Sequence, residues 1–194
     1  MNNFSFVKKT IMGFAFSYVL SKIMDKVSNN EVDLNKYFSK SMEFEGGFTN
    51  DANDPGGATK YGICRKYYPE LTYDDVYNLS KKQAFYYYKR DYWDRYSCAK
   101  VSKHVQFLFF DTVLHQGGDF ATRMMQRITG ATIDGILGDE TATLSKVVNL
   151  DEFAQERKNR CLERIKENSD LNEFLGGWYN RINKALAFQK EINR

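Results

Sequence analysis

The chain has 194 residues, 42% of them hydrophobic, which is enough for one domain or for one domain with an appendage. Its formal net charge of +3 falls well short of the concentrated basic surface of a nucleic-acid-binding protein, so we expect no nucleic-acid partner. Three cysteines without a CxxC pair and only two histidines predict neither a disulfide scaffold nor a metal site, and we expect no cofactor.

The N-terminal segment allows two interpretations. Lys8 and Lys9 precede an uncharged, mostly apolar stretch over residues 10–21, which is too short to span a membrane as a helix. A basic start followed by such a stretch is typical of a secretory signal. Apolar residues at helical spacing instead indicate an amphipathic first helix with at most a transient membrane contact. In both cases we place a boundary near residue 33.

A helix is predicted to begin after Asp33, which is suited to cap it. Four residues share one face of this helix at helical spacing: Leu34, Phe38, Met42 and Glu45. The carboxyl group of Glu45 therefore lies on an otherwise apolar stripe. The glycine pair at residues 46–47 ends the helix, and the turn-forming run NDANDPGG predicts a loop over residues 50–57.

The remaining chain is punctuated by helix caps and glycines. Thr72 with Asp75 and Ser80 with Gln83 each have the spacing of a capping box. Further helices are predicted over residues 104–116, 120–129, 142–148, 151–168 and 171–192. The last of these carries apolar residues toward a core, namely Phe174, Trp178, Ile182, Leu186 and Phe188. We therefore predict a mainly α-helical fold with a small β-hairpin near residues 47–63.

The position of Glu45 suits the chemistry of glycoside hydrolysis, which without a metal usually takes two carboxyl groups. Partial burial at a helix end favours the protonated form of Glu45, as a general acid requires. The second carboxylate should come from the hydrated loop that follows, where Asp54 is preferred and Asp51 is the reserve.

The order and spacing of these residues resemble known signatures. Glu45, Asp54 and Thr59, followed by Tyr61-Gly62-Ile63, resemble the Glu-x8-Asp-x5-Thr pattern of phage-type lysozymes, with one residue fewer before the threonine. The stretch EGGFTNDANDPGGATKYGI is more similar to the leading motif of the N-acetylmuramidase family of glycoside hydrolases, family 108. The likeness continues in three later stretches: YYKRDYWD, the stretch over residues 110–141 that begins with FDTVLHQGGD, and FLGGWYNRINKAL.

This resemblance covers about residues 34–190 and implies a lysozyme-like helical fold. It implies a catalytic muramidase region over residues 34–119 and a peptidoglycan-binding-like helical region over residues 120–194, which we expect to pack on the catalytic part. The implied reaction is cleavage of the β-1,4 bond between N-acetylmuramic acid and N-acetylglucosamine in bacterial peptidoglycan. Such an enzyme acts in the periplasm or cell wall after export, with a holin or secretion machinery as a further partner.

The resemblance also suggests residue roles. Glu45 would protonate the leaving oxygen while Asp54, helped by Thr59, activates a water. Candidate substrate contacts are Asp51, Tyr61, Tyr92, Trp93, His115 and Gln116. The chain departs from the family where Asp-x-x-x-Asn-x-Gly is expected, because His115 stands between Asp111 and Gly117 in place of the asparagine.

Several alternatives stay open from the sequence. Asp54 could only stabilise its own turn, and Tyr92 and Trp93 could belong to the core rather than to a sugar platform. A lytic transglycosylase would need one Glu and no water. A non-catalytic wall-binding or structural protein could keep the fold without the reaction.

Overall fold

The computed structural model describes residues 33–44 and 59–194. Residues 1–32 and residues 45–58, which include Glu45, Asp51 and Asp54, lie outside the described residues. The chain divides into two compact units, Met1–Tyr37 and Phe38–Arg194. Of the first unit, the described part is residues 33–37, the opening of a helix over residues 33–44 (α1).

Helix α1 has the predicted apolar stripe. Leu34 and Phe38 are buried, and Met42 is half-buried. The ring of Phe38 packs edge-on against Phe85 and Tyr88 at centroid distances of 5.4 and 5.1 Å. The helix prediction is confirmed for these positions.

A two-stranded antiparallel sheet follows, formed by β1 (Thr59–Lys60) and β2 (Ile63–Cys64). The turn between them is Tyr61-Gly62, with φ values of +53° and +73°. Positive φ at both central residues is typical of the type I′ turn that closes a tight hairpin. The predicted hairpin is confirmed here, and its proposed first part, residues 47–58, lies outside the described residues.

Two short helices come next, α2 (Tyr73–Tyr77) and α3 (Lys81–Tyr88). Each begins with the predicted capping box. In this box, the hydroxyl of the N-cap residue accepts a hydrogen bond from the backbone N–H three residues later, and the side chain of that later residue accepts one from the backbone N–H of the N-cap residue. Helix α3 continues directly into a π-helix over Lys89–Asp94, and a 3-10 turn follows over Cys98–Lys100. The π-helical turn was not predicted.

The centre of the second unit is helix α4 (Gln106–Gln116), in which Gln106 to Val113 are all buried. A helix that is buried on every side must be covered by several neighbours. Helices α5, α8 and the π-helix pack on it. The further elements are α5 (Gly118–Thr129), α6 (Asp139–Leu144) with a 3-10 turn (Ser145–Val147), α7 (Leu150–Glu167), a 3-10 turn (Ser169–Phe174) and α8 (Leu175–Ile192).

The C-terminal helices belong to the same compact unit as the hairpin and α4, since residues 38–194 cluster together. Helices α7 and α8 pack around Ala154, Cys161 and Ile182. One expectation for this part is wrong: Phe174 is 49% exposed. It ends the 3-10 turn that precedes α8, so its ring stacks on the outside of Trp178 at 6.2 Å. Within the described ranges, no helix combines the length and apolarity needed to cross a membrane.

Candidate active site

A cleft of about 440 Å³ opens between the segment after the hairpin, the π-helix and the junction of α4 with α5. Its walls are rich in tyrosine: Tyr67, Tyr68, Tyr92 and Tyr96 all line it. A smaller cavity of about 210 Å³ shares Tyr67, Tyr92 and Leu114 with it and reaches Gly62 in the hairpin turn and Tyr88. The two cavities therefore adjoin along one groove. Rings with a hydroxyl at the edge offer both an apolar face and a hydrogen-bonding tip, as sugar binding requires.

The π-helix decides which aromatic side chain faces this cleft. A π turn adds a residue to the helical repeat and so rotates the side chains that follow, and such turns are frequent at functional sites. Tyr92 lines the cleft, whereas Trp93 is 3% exposed and packs edge-on against Phe110 at 5.4 Å. The indole of Trp93 thus belongs to the core and offers no face to a sugar, contrary to the contact we expected for it.

The hairpin turn is fixed to the opposite wall by a tyrosine. The hydroxyl of Tyr88 donates to the carbonyl oxygen of Tyr61 at 3.0 Å. The rings of Tyr88 and Tyr92 lie 5.5 Å apart in a tilted arrangement. The left-handed backbone of Tyr61, uncommon for a residue with a side chain, is held at the edge of the groove by this contact.

Asp91 is the centre of a hydrogen-bonded group inside the cleft. Arg90 donates to its two oxygens at 2.6 and 2.7 Å, and the Tyr68 hydroxyl donates at 3.0 Å. The hydrogen bonds from Arg90 hold the pKa of Asp91 below its usual value, although partial burial opposes them. Burial first, and then the neighbouring Tyr92 and Asp91, raise the pKa of Tyr68. Asp91 is therefore an ionised acceptor in this cleft and is unsuited to donate a proton at neutral pH.

The far end of the cleft depends on a close approach between a ring and a glycine. A Cβ atom at Gly118 would lie 2.2 Å from the ring of Tyr96, so only glycine permits this packing at the start of α5. The guanidinium carbon of the exposed Arg95 lies 5.6 Å from the centre of the same ring. The ring thus forms a fixed wall beside an accessible cation.

Behind this end of α4 lies a buried ionic group. The carboxylate of Asp111 accepts from Arg157 at 2.7 Å and from Arg181 at 3.0 Å, and the side chains of Asp111 and Arg157 are both 0% exposed. Burial alone would raise the pKa of Asp111, but the charges of Arg181 and Arg157 outweigh burial and lower it. The group fastens α4 to α7 and α8.

His115 and Gln116 face this interior. Gln116 donates to the carbonyl oxygen of Arg157 at 2.8 Å and accepts from its Nε at 3.2 Å, so its amide is occupied. His115 packs edge-on against Trp178 at 6.4 Å. Burial first, and then the charges of Arg181 and Arg157, lower the pKa of His115 to about 4. The imidazole is neutral at pH 7, and both side chains serve packing between helices.

The predicted site residues thus fall into three groups: those at the cleft, those that point away from it, and those outside the described residues. Tyr92 lies in the cleft, and the hairpin that carries Tyr61 and the half-buried Thr59 adjoins it through Gly62. Trp93, His115 and Gln116 point away from it, and the three acidic candidates lie outside the described residues. Residues that the sequence did not single out complete the cleft, namely Tyr67, Tyr68, Arg95 and Tyr96. The density of tyrosines over residues 86–96 was a signal for Tyr96, but a regular helical count does not show which rings face outward. Among the described residues, no group of three potential metal ligands occurs.

Comparisons with known proteins agree with this picture. Residues 38–117 match the sequence profile of the family described as glycosyl hydrolase 108. That segment is similar to glycosyl hydrolase 108 domains and makes up less than half of the chain. The match supports a glycoside hydrolase of the muramidase kind that acts on peptidoglycan. Except for Gly118, every residue that lines the larger cleft falls within the matched residues 38–117.

A solved structure extends the fold comparison beyond the domain. The chain of the structure titled "Structure of Brucella abortus SagA" superposes with a TM-score of 0.69 at 24% sequence identity, covering 84% of this chain and 97% of that one. A match of that extent must include part of the helices after residue 117, so the shared fold continues past the segment that matches the family profile. Among curated proteins, no sequence matches this chain.

Proposed function

We propose that this protein hydrolyses the β-1,4 bond between N-acetylmuramic acid and N-acetylglucosamine in peptidoglycan, with Glu45 as the general acid. The observation that carries the proposal is the tyrosine-lined cleft of about 440 Å³, which is built almost wholly from the segment that matches the glycosyl hydrolase 108 profile. An elongated glycan needs an open groove with ring faces and hydroxyl groups along it. This groove supplies them.

The assignment of Glu45 rests on its helix. Phe38 and Met42 lie on the inward face of α1. Helical spacing predicts that Glu45, three residues after Met42 in the sequence, shares that face. A carboxyl group at such a position is partly removed from water, which favours its protonated form and suits proton donation to a leaving oxygen. General-acid catalysis of this kind contributes a factor on the order of 10²–10⁴.

For the opposite face of the sugar we propose Asp54 as the base that activates water, assisted by Thr59. Thr59 pairs with Cys64 in the hairpin, and the turn of that hairpin lines the groove through Gly62. A water between two carboxyl groups requires them to be roughly 6.5–9.5 Å apart and inverts the anomeric centre.

Reaching the wall also requires passage across a membrane, so we propose that the chain is exported through its N-terminal segment or with a holin or secretion partner.

The acid is tested by Glu45→Gln, with Glu43→Gln as the matched control. Glu43 lies two residues earlier on the exposed side of α1, where it pairs with Lys40 at 2.6 Å. We expect Glu45→Gln to stay folded and lose lysis of purified cell walls by at least about 100-fold. Glu43→Gln should keep full activity, and undiminished lysis by Glu45→Gln would contradict the assignment.

Product analysis tests the reaction itself. Mass spectrometry of soluble wall fragments should find reducing muramic acid ends. Anhydro-muramic acid ends would instead establish a lytic transglycosylase, which needs no base and would make Asp54→Asn fully active. Binding to walls without any cleavage would establish a wall-binding protein.

A further inference from the structure

The charged residues of the cleft are unequally paired. Glu70, Arg90, Asp91 and Arg95 all line it. Arg90 is held by Asp91 through two hydrogen bonds and lies over Tyr86 and Tyr87, so its charge is satisfied within the protein. Arg95 makes no ion pair with a carboxylate of residues 33–44 or 59–194, although its charge is one of the smaller causes that lower the pKa of Asp91.

The exposed side chain of Arg95 lies beside a closely packed ring. It follows the π-helix directly, and its guanidinium lies 5.6 Å from the ring centre of Tyr96. That ring is packed against Gly118 so closely that a methyl group at residue 118 would collide with it. A planar cation beside a fixed ring is pre-organised to receive a carboxylate in two parallel hydrogen bonds.

The chemistry of the substrate class contains such a carboxylate. Muramic acid differs from N-acetylglucosamine by a lactyl ether, which ends in a carboxyl group or continues into a stem peptide with carboxyl groups of its own. A polymer of N-acetylglucosamine alone is neutral. A cation in the glycan groove therefore attracts the carboxyl group that is present in muramic-acid strands and absent from N-acetylglucosamine polymers.

We propose that Arg95 binds the carboxylate carried by the lactyl substituent of muramic acid, either its own or that of the attached stem peptide, and thereby favours muramic-acid strands over neutral ones. The inference rests on the proposed function, since it concerns the lactyl substituent of the glycan that the proposed function places in this groove. Glu70 lies in the same cavity with the opposite charge, so its removal should strengthen the same interaction.

The test uses the full chain and three soluble ligands. These are peptide-bearing muropeptide oligomers, the same oligomers stripped by an amidase to free lactyl groups, and a neutral N-acetylglucosamine oligomer used as a competitor. We expect Arg95→Ala to lower kcat/KM roughly fivefold for one of the two muramic substrates. The inhibition constant of the neutral oligomer should change by less than this factor. The loss should lie in KM, and Arg95→Lys should recover part of it.

The pattern of losses identifies the carboxylate. A loss confined to the peptide-bearing oligomer assigns the stem peptide, and a loss confined to the stripped oligomer assigns the lactyl group. Glu70→Gln should change the same KM in the opposite direction, and both effects should shrink when salt is raised. Lys82→Ala, which removes an exposed charge on α3 outside the cleft, should leave all values within about twofold.

Equal losses for all three ligands, or none, would overturn the role of Arg95. This failure is separable from failure of the proposed function. If the wild-type chain releases no reducing ends, calorimetric dissociation constants for the same three ligands still show whether Arg95 selects the carboxylate.

Discussion

The pH dependence of stability should report on His115. Burial and the neighbouring arginines lower its pKa to about 4 in the folded chain, against 6.5 for an ordinary histidine. Below pH 6.5 His115 therefore binds a proton in the unfolded chain, whereas in the folded chain it does so only when the pH falls to about 4. This contribution to stability is complete above pH 6.5 and is lost as the pH falls toward 4.

The size of the effect follows from the two pKa values. Between pH 7 and pH 5 the difference in proton binding amounts to about 2 kcal/mol of lost unfolding free energy. His115→Asn, the residue that the family pattern leads us to expect here, cannot titrate and should lose far less over that interval. Paired carboxylates such as Asp111, whose pKa is also lowered, titrate below this window, so they do not obscure the comparison.

Urea denaturation followed by tryptophan fluorescence at pH 7, 6 and 5 measures this difference. Trp178, which contacts the His115 ring, supplies a local signal. The reasoning is refuted if wild type and His115→Asn lose the same stability between pH 7 and 5.

Two further substitutions test the interior and the cleft wall. Asp111→Asn leaves the fully buried Arg157 without a carboxylate and should cost about 3–5 kcal/mol of unfolding free energy, measured by urea denaturation. Gly118→Ala forces a methyl group against the ring of Tyr96, which should cost about 1–3 kcal/mol and raise KM for soluble muropeptides, since that ring lines the cleft.

Each substitution has a matched control with a different expected result. Asp119→Asn breaks the exposed pair with Arg123 and should cost less than about 1 kcal/mol. Gly177→Ala adds a methyl group to an open position within α8, where alanine favours the helix by about 0.5–1 kcal/mol. If Asp111→Asn resembles its control, or if Gly118→Ala is as stable as wild type with unchanged KM, the packing described for that residue is incorrect.

Features determined by neighbours in sequence were predictable. The capping boxes at Thr72 and Ser80 involve hydrogen bonds that span only three residues, so residue types and spacing suffice to foresee them. The apolar stripe of α1 and the tight turn at Tyr61-Gly62 are likewise local. The mainly helical fold followed from such signals.

The composition of the cleft and of the ionic group behind it depends on contacts between distant segments, and this is why the sequence did not reveal either of them. The charge of Arg157 is typical of a solvated helix face, and only its approach to Asp111, 46 positions away, makes burial tolerable. The π turn over Lys89–Asp94 has no signal of its own, yet it sends Tyr92 to the groove and Trp93 to the core. A one-residue shift in helical register therefore decided which of two adjacent aromatic rings could meet a sugar, and propensity alone carries no information about that shift.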